Sequence, residues 1–264
     1  MKGVALAALV LAGCQQDNRE IVRRIDAISQ RIDRLGAAAP AGAPAVAVAG
    51  APAVGQAPVG PDPSKTYAIP TDDLPAVGSP EALVTIVKAY EYACPFCEQA
   101  RATEQQLRDA YGDKVRFVYA PFVVHPQLAT LPMESACAAF KQGKFGAMND
   151  LLWEKAFKTR QFDQANMDAL ARAAGLDPAR FDADETGECA AWVTRHQAVL
   201  RGFGVNATPS FFVNGRYLSG VVSLATFKPI IDDELKKAED RVARGTPAAD
   251  YYQRWVVAVG TPRL

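Results

Sequence analysis

The chain has 264 residues, enough for one large domain or two small ones, and is 49% hydrophobic and 22% charged, as ordinary globular proteins are. Lys and Arg together number 29, as do Asp and Glu, so no net field draws the chain to nucleic acid. No apolar run reaches the roughly 20 residues that span a bilayer.

At the N-terminus, Lys2 is followed by a short apolar run from Val4 to Gly13, ending in Leu11-Ala12-Gly13-Cys14. A positive start, an apolar stretch and small residues before a cut describe an export signal over residues 1–13. The Leu-Ala-Gly-Cys ending resembles a bacterial lipobox, which implies an acylated Cys14 and a lipid anchor outside the cytoplasm. An uncleaved anchor or a chance cysteine is the alternative. Gln15 rather than Asp after the cysteine implies outer-membrane sorting, by analogy with other lipoproteins. Export leaves the other four cysteines where disulfides persist.

Residues 14–36 read as a stalk. Ile21, Ile25, Ile28, Ile32 and Leu35 recur at spacings of 4, 3, 4 and 3, a heptad seam. Isoleucine at both a and d favours trimers or tetramers over dimers. No g–e ion pairs support the seam, and an amphipathic surface helix is the other reading. Residues 37–61 are Ala, Pro, Gly and Val with Gln56 as the one polar residue. Such a stretch builds no core and reads as a semi-extended spacer of at most about 75 Å.

The folded domain is expected over 62–245, with a tail at 246–264. Ala82 to Ala89 is a β-branched run typical of a buried strand, and it leads directly into Cys94-Pro95-Phe96-Cys97. A helix to about Tyr111 and a second strand, Lys114 to Pro121, complete a βαβ unit with parallel strands. A helical insertion fills about 126–203. Its first helix is expected to begin near Leu131 and to bury Ala139, Phe140, Phe145, Met148, Leu151 and Leu152. Ser210 to Val213, Asn214-Gly215 and Arg216 to Val222 form a β-hairpin signature. Ser223 opens the last long helix, and the tail packs back as a short helix.

The Cys-x-x-Cys at a helix start has a physical logic. Unsatisfied N–H groups and the positive end of the helix dipole stabilise a thiolate, so an exposed Cys94 is expected to ionise readily and attack. Two intervening residues put Cys97 in reach to resolve a mixed disulfide. Pro95 suits a first turn because it lacks an N–H. Half of a zinc site is disfavoured, since His125 and His196 are both remote in sequence and zinc wants a second close pair of ligands. No metal or other cofactor is expected.

The strand–CPFC–helix unit, the helical insertion and the later Ala207-Thr208-Pro209-Ser210-Phe211-Phe212-Val213-Asn214-Gly215 resemble the DsbA-like branch of the thioredoxin superfamily over roughly Pro63 to Arg244. The resemblance implies an α/β thioredoxin fold with a helical-domain insertion. It also implies that Thr208-Pro209 is a cis-proline loop facing the cysteines, so that Pro95, Phe96, Thr208 and Pro209 contact substrate. The multimeric stalk resembles that of ScsC-like proteins. Two departures stand out. Lys88 occupies the position, six before the first cysteine, where the superfamily commonly carries a buried acid. A buried lysine is costly unless paired, so Lys88 either reaches Glu91 or the surface, or titrates abnormally; if charged, it would stabilise the Cys94 thiolate. The intervening pair is Pro-Phe rather than Pro-His, and Phe96 supplies no cation.

Cys137 and Cys189 are expected either to form a structural disulfide or to lie buried as free thiols. His125 reads as a hinge or packing residue more readily than as an acid–base group. His196 reads as a helix-surface histidine. Glu91 is either a proton shuttle or the partner of Lys88. The function expected is disulfide exchange with exported proteins, as oxidase or isomerase, regenerated by a membrane redox partner. The alternatives are a non-catalytic thioredoxin-scaffold lipoprotein and a Cu(I)-binding protein.

Overall fold

The β-branched run predicted as a buried strand becomes the centre of the sheet. It forms β2 (Val84–Tyr90), which is buried at every position. The computed structural model describes residues 60–263. The expected signal at 1–13, the Cys14 acylation site, the 14–36 stalk and nearly all of the 37–61 linker lie outside the described residues.

Five strands form one mixed sheet in the order β1-β3-β2-β4-β5. β1 is Ala76–Val77, β3 Val115–Pro121, β4 Ser210–Val213 and β5 Arg216–Ser219. β2 pairs with β3 in parallel, Lys88 opposite Tyr119 and Tyr90 opposite Pro121. The crossover between them is helix α1 (Pro95–Tyr111), as the βαβ reading requires. β4 runs antiparallel to β2 and turns into β5 through Asn214-Gly215, both at positive φ. The sheet therefore brings the C-terminal ends of β2, β3 and β5 and the N-terminal end of β4 to one edge. The two-residue β1 carries no pattern that sequence reading could have recognised.

The insertion between β3 and β4 comprises α2 (Pro126–Lys141), α3 (Phe145–Leu151), α4 (Gln164–Ala173), α5 (Pro178–Asp184) and α6 (Ala190–Gly202). Two expectations need correction. Its first helix starts at Pro126 rather than near Leu131, because proline fits a first turn. It is also two helices. Gly143 takes a left-handed conformation (φ 68°) that ends α2, and Phe145 begins α3. Cys137 of α2 is bonded to Cys189, just before α6, with Cα atoms 5.7 Å apart. This cross-link spans 52 residues and contributes about 2–4 kcal/mol by restricting the unfolded chain.

Helix α7 (Leu224–Ala243) is capped by Ser223, whose hydroxyl accepts the Thr226 N–H at 3.2 Å. Phe227, Ile231 and Leu235 face the core, and Phe227 meets Phe211 edge to face. The tail packs back: Tyr251, Tyr252 and Val256 are buried, and the Tyr252 hydroxyl donates to the Ile69 carbonyl at 2.8 Å. His196 is not on the surface as expected. It is buried against the Trp192 ring at 5.0 Å, and its Nε2 has no hydrogen-bond partner. Among the described residues, no helix is long and apolar enough to cross a membrane.

Candidate active site

The β2 strand ends at Tyr90, and the chain turns through Glu91, Tyr92 and Ala93 to place Cys94 as the N-cap of α1. The Cys97 N–H points back at the Cys94 sulfur, 3.4 Å away. Pro95 at the first helical position has no N–H to leave unpaired. Hydrogen bonding lowers the Cys94 thiol from its ordinary 9.0 to about 6. The Cys97 thiol donating to the sulfur is the largest cause, burial opposes it, and the Thr208 side chain and the N–H groups of the helix start add to it. Cys97 moves the other way. Burial pushes its thiol well above the ordinary value, its bond to Cys94 adds to this, and Lys88 partly offsets it. The pair is thus split into an acidic and a reluctant thiol.

Cys94 is more enclosed than a helix start alone suggests, with only 3% of its surface accessible. The Thr208-Pro209 loop lies against it: the thiol donates to the Thr208 carbonyl at 3.4 Å when protonated. The Thr208–Pro209 bond is cis, as the resemblance implied. Pro209 is buried, whereas Pro95 and Phe96 are exposed, Phe96 by 58%. The exposed Pro95 and Phe96 and the half-buried Thr208 are the sulfur's neighbours on the outer side.

Lys88 does not pair with Glu91. Successive strand residues alternate faces, so Lys88 and Tyr90 point toward α1 while Glu91 lies on the far side of the turn. Lys88 is 1% exposed and forms an ion pair with Glu104 of α1. Its Nζ also lies 3.5 Å from the Cys97 carbonyl and 5.5 Å from the Tyr90 ring centre. Tyr119 donates to the other Glu104 oxygen at 3.3 Å. The lysine therefore bears on Cys97 rather than on Cys94, and α1 supplies the acid that β2 lacks. Glu104 was missed in the sequence. Its signal is a lone charge in the buried helical stripe Cys97, Ala100, Glu104, Leu107.

The Glu91 carboxylate is fully buried and accepts the N–H groups of Val124 (2.6 Å) and His125 (3.0 Å). It also bonds to the His125 ring through Nδ1. His125 is the N-cap of α2 with its ring half exposed. Cys94, Cys97, Pro95, Phe96, Thr208, Pro209, Lys88 and Glu91 all gather at one end of the sheet. Cys137 and Cys189 belong to the helical insertion instead.

A family model described as thioredoxin matches residues 71–233. The Na(+)/H(+) antiporter NhaA of Herminiimonas arsenicoxydans is 30% identical over 158 residues, which are 59% of this chain and 24% of that protein. The chain spans about a quarter of the length of the curated relatives it matches. A solved thioredoxin-like oxidoreductase from Silicibacter pomeroyi is 29% identical, with a TM-score of 0.53 over 66% of this chain and 95% of that one. The thiol-disulfide exchange protein alpha-DsbA2 of Wolbachia pipientis shares the fold at 16% identity and a TM-score of 0.56, over 63% of this chain and 89% of that one.

Proposed function

The chain belongs to the thioredoxin family, and we propose that it is a thiol–disulfide oxidoreductase acting on exported proteins through Cys94 and Cys97. The observation that carries this reading is geometric: Cys94 caps α1, the Cys97 N–H lies 3.4 Å from its sulfur, and the cis Thr208–Pro209 loop lies against it. In reduction, the Cys94 thiolate attacks a substrate disulfide, forming a mixed disulfide and expelling one substrate sulfur as thiolate. Cys97 then loses its proton and attacks the Cys94 sulfur. A Cys94–Cys97 disulfide forms, the second substrate sulfur leaves, and two electrons have passed to the substrate. Oxidation of a substrate dithiol is the reverse. The Thr208 loop, on the β4 side of the sulfur, aligns an extended substrate segment.

Alkylation of the reduced protein tests the site. Its rate should rise with pH through about 6 and level off by pH 7, because only the thiolate reacts and it predominates above its pKa. Denatured protein should show the midpoint near 9. A native midpoint above 8, or no reaction at pH 7, would remove the reading.

Residues 14–36 are proposed to anchor the protein by an acylated Cys14 outside the cytoplasm and to join several copies, trimers above all, which suits isomerisation. A membrane redox partner would reset the pair. Deleting residues 15–36 should lower the mass to that of a monomer and cut refolding of scrambled ribonuclease, with Cys94 alkylation unaltered. Unchanged oligomeric state and refolding would remove the isomerase reading.

A further inference from the structure

The Glu91 backbone bears on the Cys97 thiol, but the side chains of Glu91 and His125 are bonded to neither cysteine. A buried carboxylate that accepts two backbone N–H groups and an imidazole is expensive to desolvate and fully organised. The segment that carries His125 is pinned from three directions. The Phe122 N–H donates to the Tyr90 carbonyl at 2.9 Å. Gln197 of α6 brackets Val123 with bonds of 3.0 and 3.1 Å to its N–H and carbonyl. Glu91 holds the next two N–H groups. The imidazole is thus fixed by its Nδ1, and half of the side chain faces solvent.

Its position follows from the sheet. β2 lies between β3 and β4, so the turn that bears Cys94 has the end of β3 on one side and the start of β4 on the other. The Thr208 loop occupies the β4 side, and His125, which follows β3, is held on the other side by Glu91, three residues before Cys94. Among the described residues, Glu91 is the one charged group in hydrogen-bond or ion-pair contact with the ring.

We propose that His125, oriented by Glu91, gives and takes the proton on the substrate's own sulfur. This rests on the exchange reading above. When the Cys94 thiolate breaks a substrate S–S bond, the expelled thiolate takes a proton from the imidazolium and leaves as a neutral thiol. In the reverse direction the neutral imidazole removes the proton of a substrate thiol as that sulfur attacks Cys94 of the Cys94–Cys97 disulfide, and Cys97 leaves as thiolate. Glu91 is a positioning residue: it holds the ring by Nδ1 and so sets its orientation.

The test compares two disulfides on the full chain. Glutathione disulfide releases a basic alkyl thiolate that gains from protonation. An aromatic disulfide such as dithiobis(nitrobenzoate) releases a thiolate that leaves without it. His125→Gln should slow reduction of glutathione disulfide at least tenfold more than reduction of the aromatic disulfide, in line with general acid–base contributions of roughly a hundredfold or more. Glu91→Gln should shift the same ratio in the same direction. His125→Asn provides a second, shorter side chain at the same N-cap should the glutamine variant not fold. Equal slowing of both disulfides, or of neither, would overturn the proposal. A wild-type protein inert toward both would instead sink the exchange reading itself.

Discussion

Replacing Cys97 with alanine will turn a transient exchange intermediate into a stable covalent adduct on Cys94. Cys97 does two things for its neighbour. Its thiol is the largest cause of the depressed Cys94 pKa, and its sulfur is placed one helical turn away to displace a bound substrate. Without it the first attack still occurs, more slowly at pH 7 because less Cys94 is ionised, but nothing inside the protein can resolve the product. Turnover of a protein disulfide should fall more than about a hundredfold, with mixed disulfides visible on non-reducing gels. Cys94→Ser should be equally inactive and carry no adduct. Retained turnover in Cys97→Ala with no adduct would mean that the chemistry lies elsewhere.

The second large effect is expected at the buried ion pair. Lys88 and Glu104 have side chains only 1% and 5% exposed, so removing either strands a charge in the core. Glu104→Leu should cost about 3–5 kcal/mol, and Lys88→Met a similar amount, because the remaining ion loses its partner without regaining water. At roughly 2–4 °C per kcal/mol for a domain of this size, each single variant should melt about 6–20 °C lower. The double variant removes both charges and should be far less destabilised than the sum of the two, which a double-mutant cycle in thermal melts measures. Additive losses would show that the two charges do not depend on each other. Lys88→Met should also raise Cys97 further, since the lysine opposes the effect of burial on that thiol.

Much of this was readable along the chain because it depends on neighbours in sequence. Cys-Pro-Phe-Cys after a β-branched run specifies a strand, a turn and a capped helix, all settled within about 20 residues. The hairpin at Asn214-Gly215 and the cap at Ser223 are equally local. The two errors at the site arose where the partner comes from another element. Glu91 and Lys88 are three residues apart and look like a pair, yet strand alternation sends them to opposite sides, one to His125 and the other to Glu104. The enclosure of Cys94 likewise comes from Thr208, 114 residues away.

The amino-acid order by itself determined which thiol caps the helix start, because helix-start N–H groups and a dipole are properties of a local fold. It also determined the strand–helix–strand core, because periodicity and turn chemistry act over a few residues. Only the tertiary structure decided what each buried charge faces, that Cys137 and Cys189 meet, and that the His125 imidazole is held by Glu91. Those outcomes depend on how distant segments pack. The energy of a buried polar group is set by what touches it, and residues far apart in the chain supply those contacts.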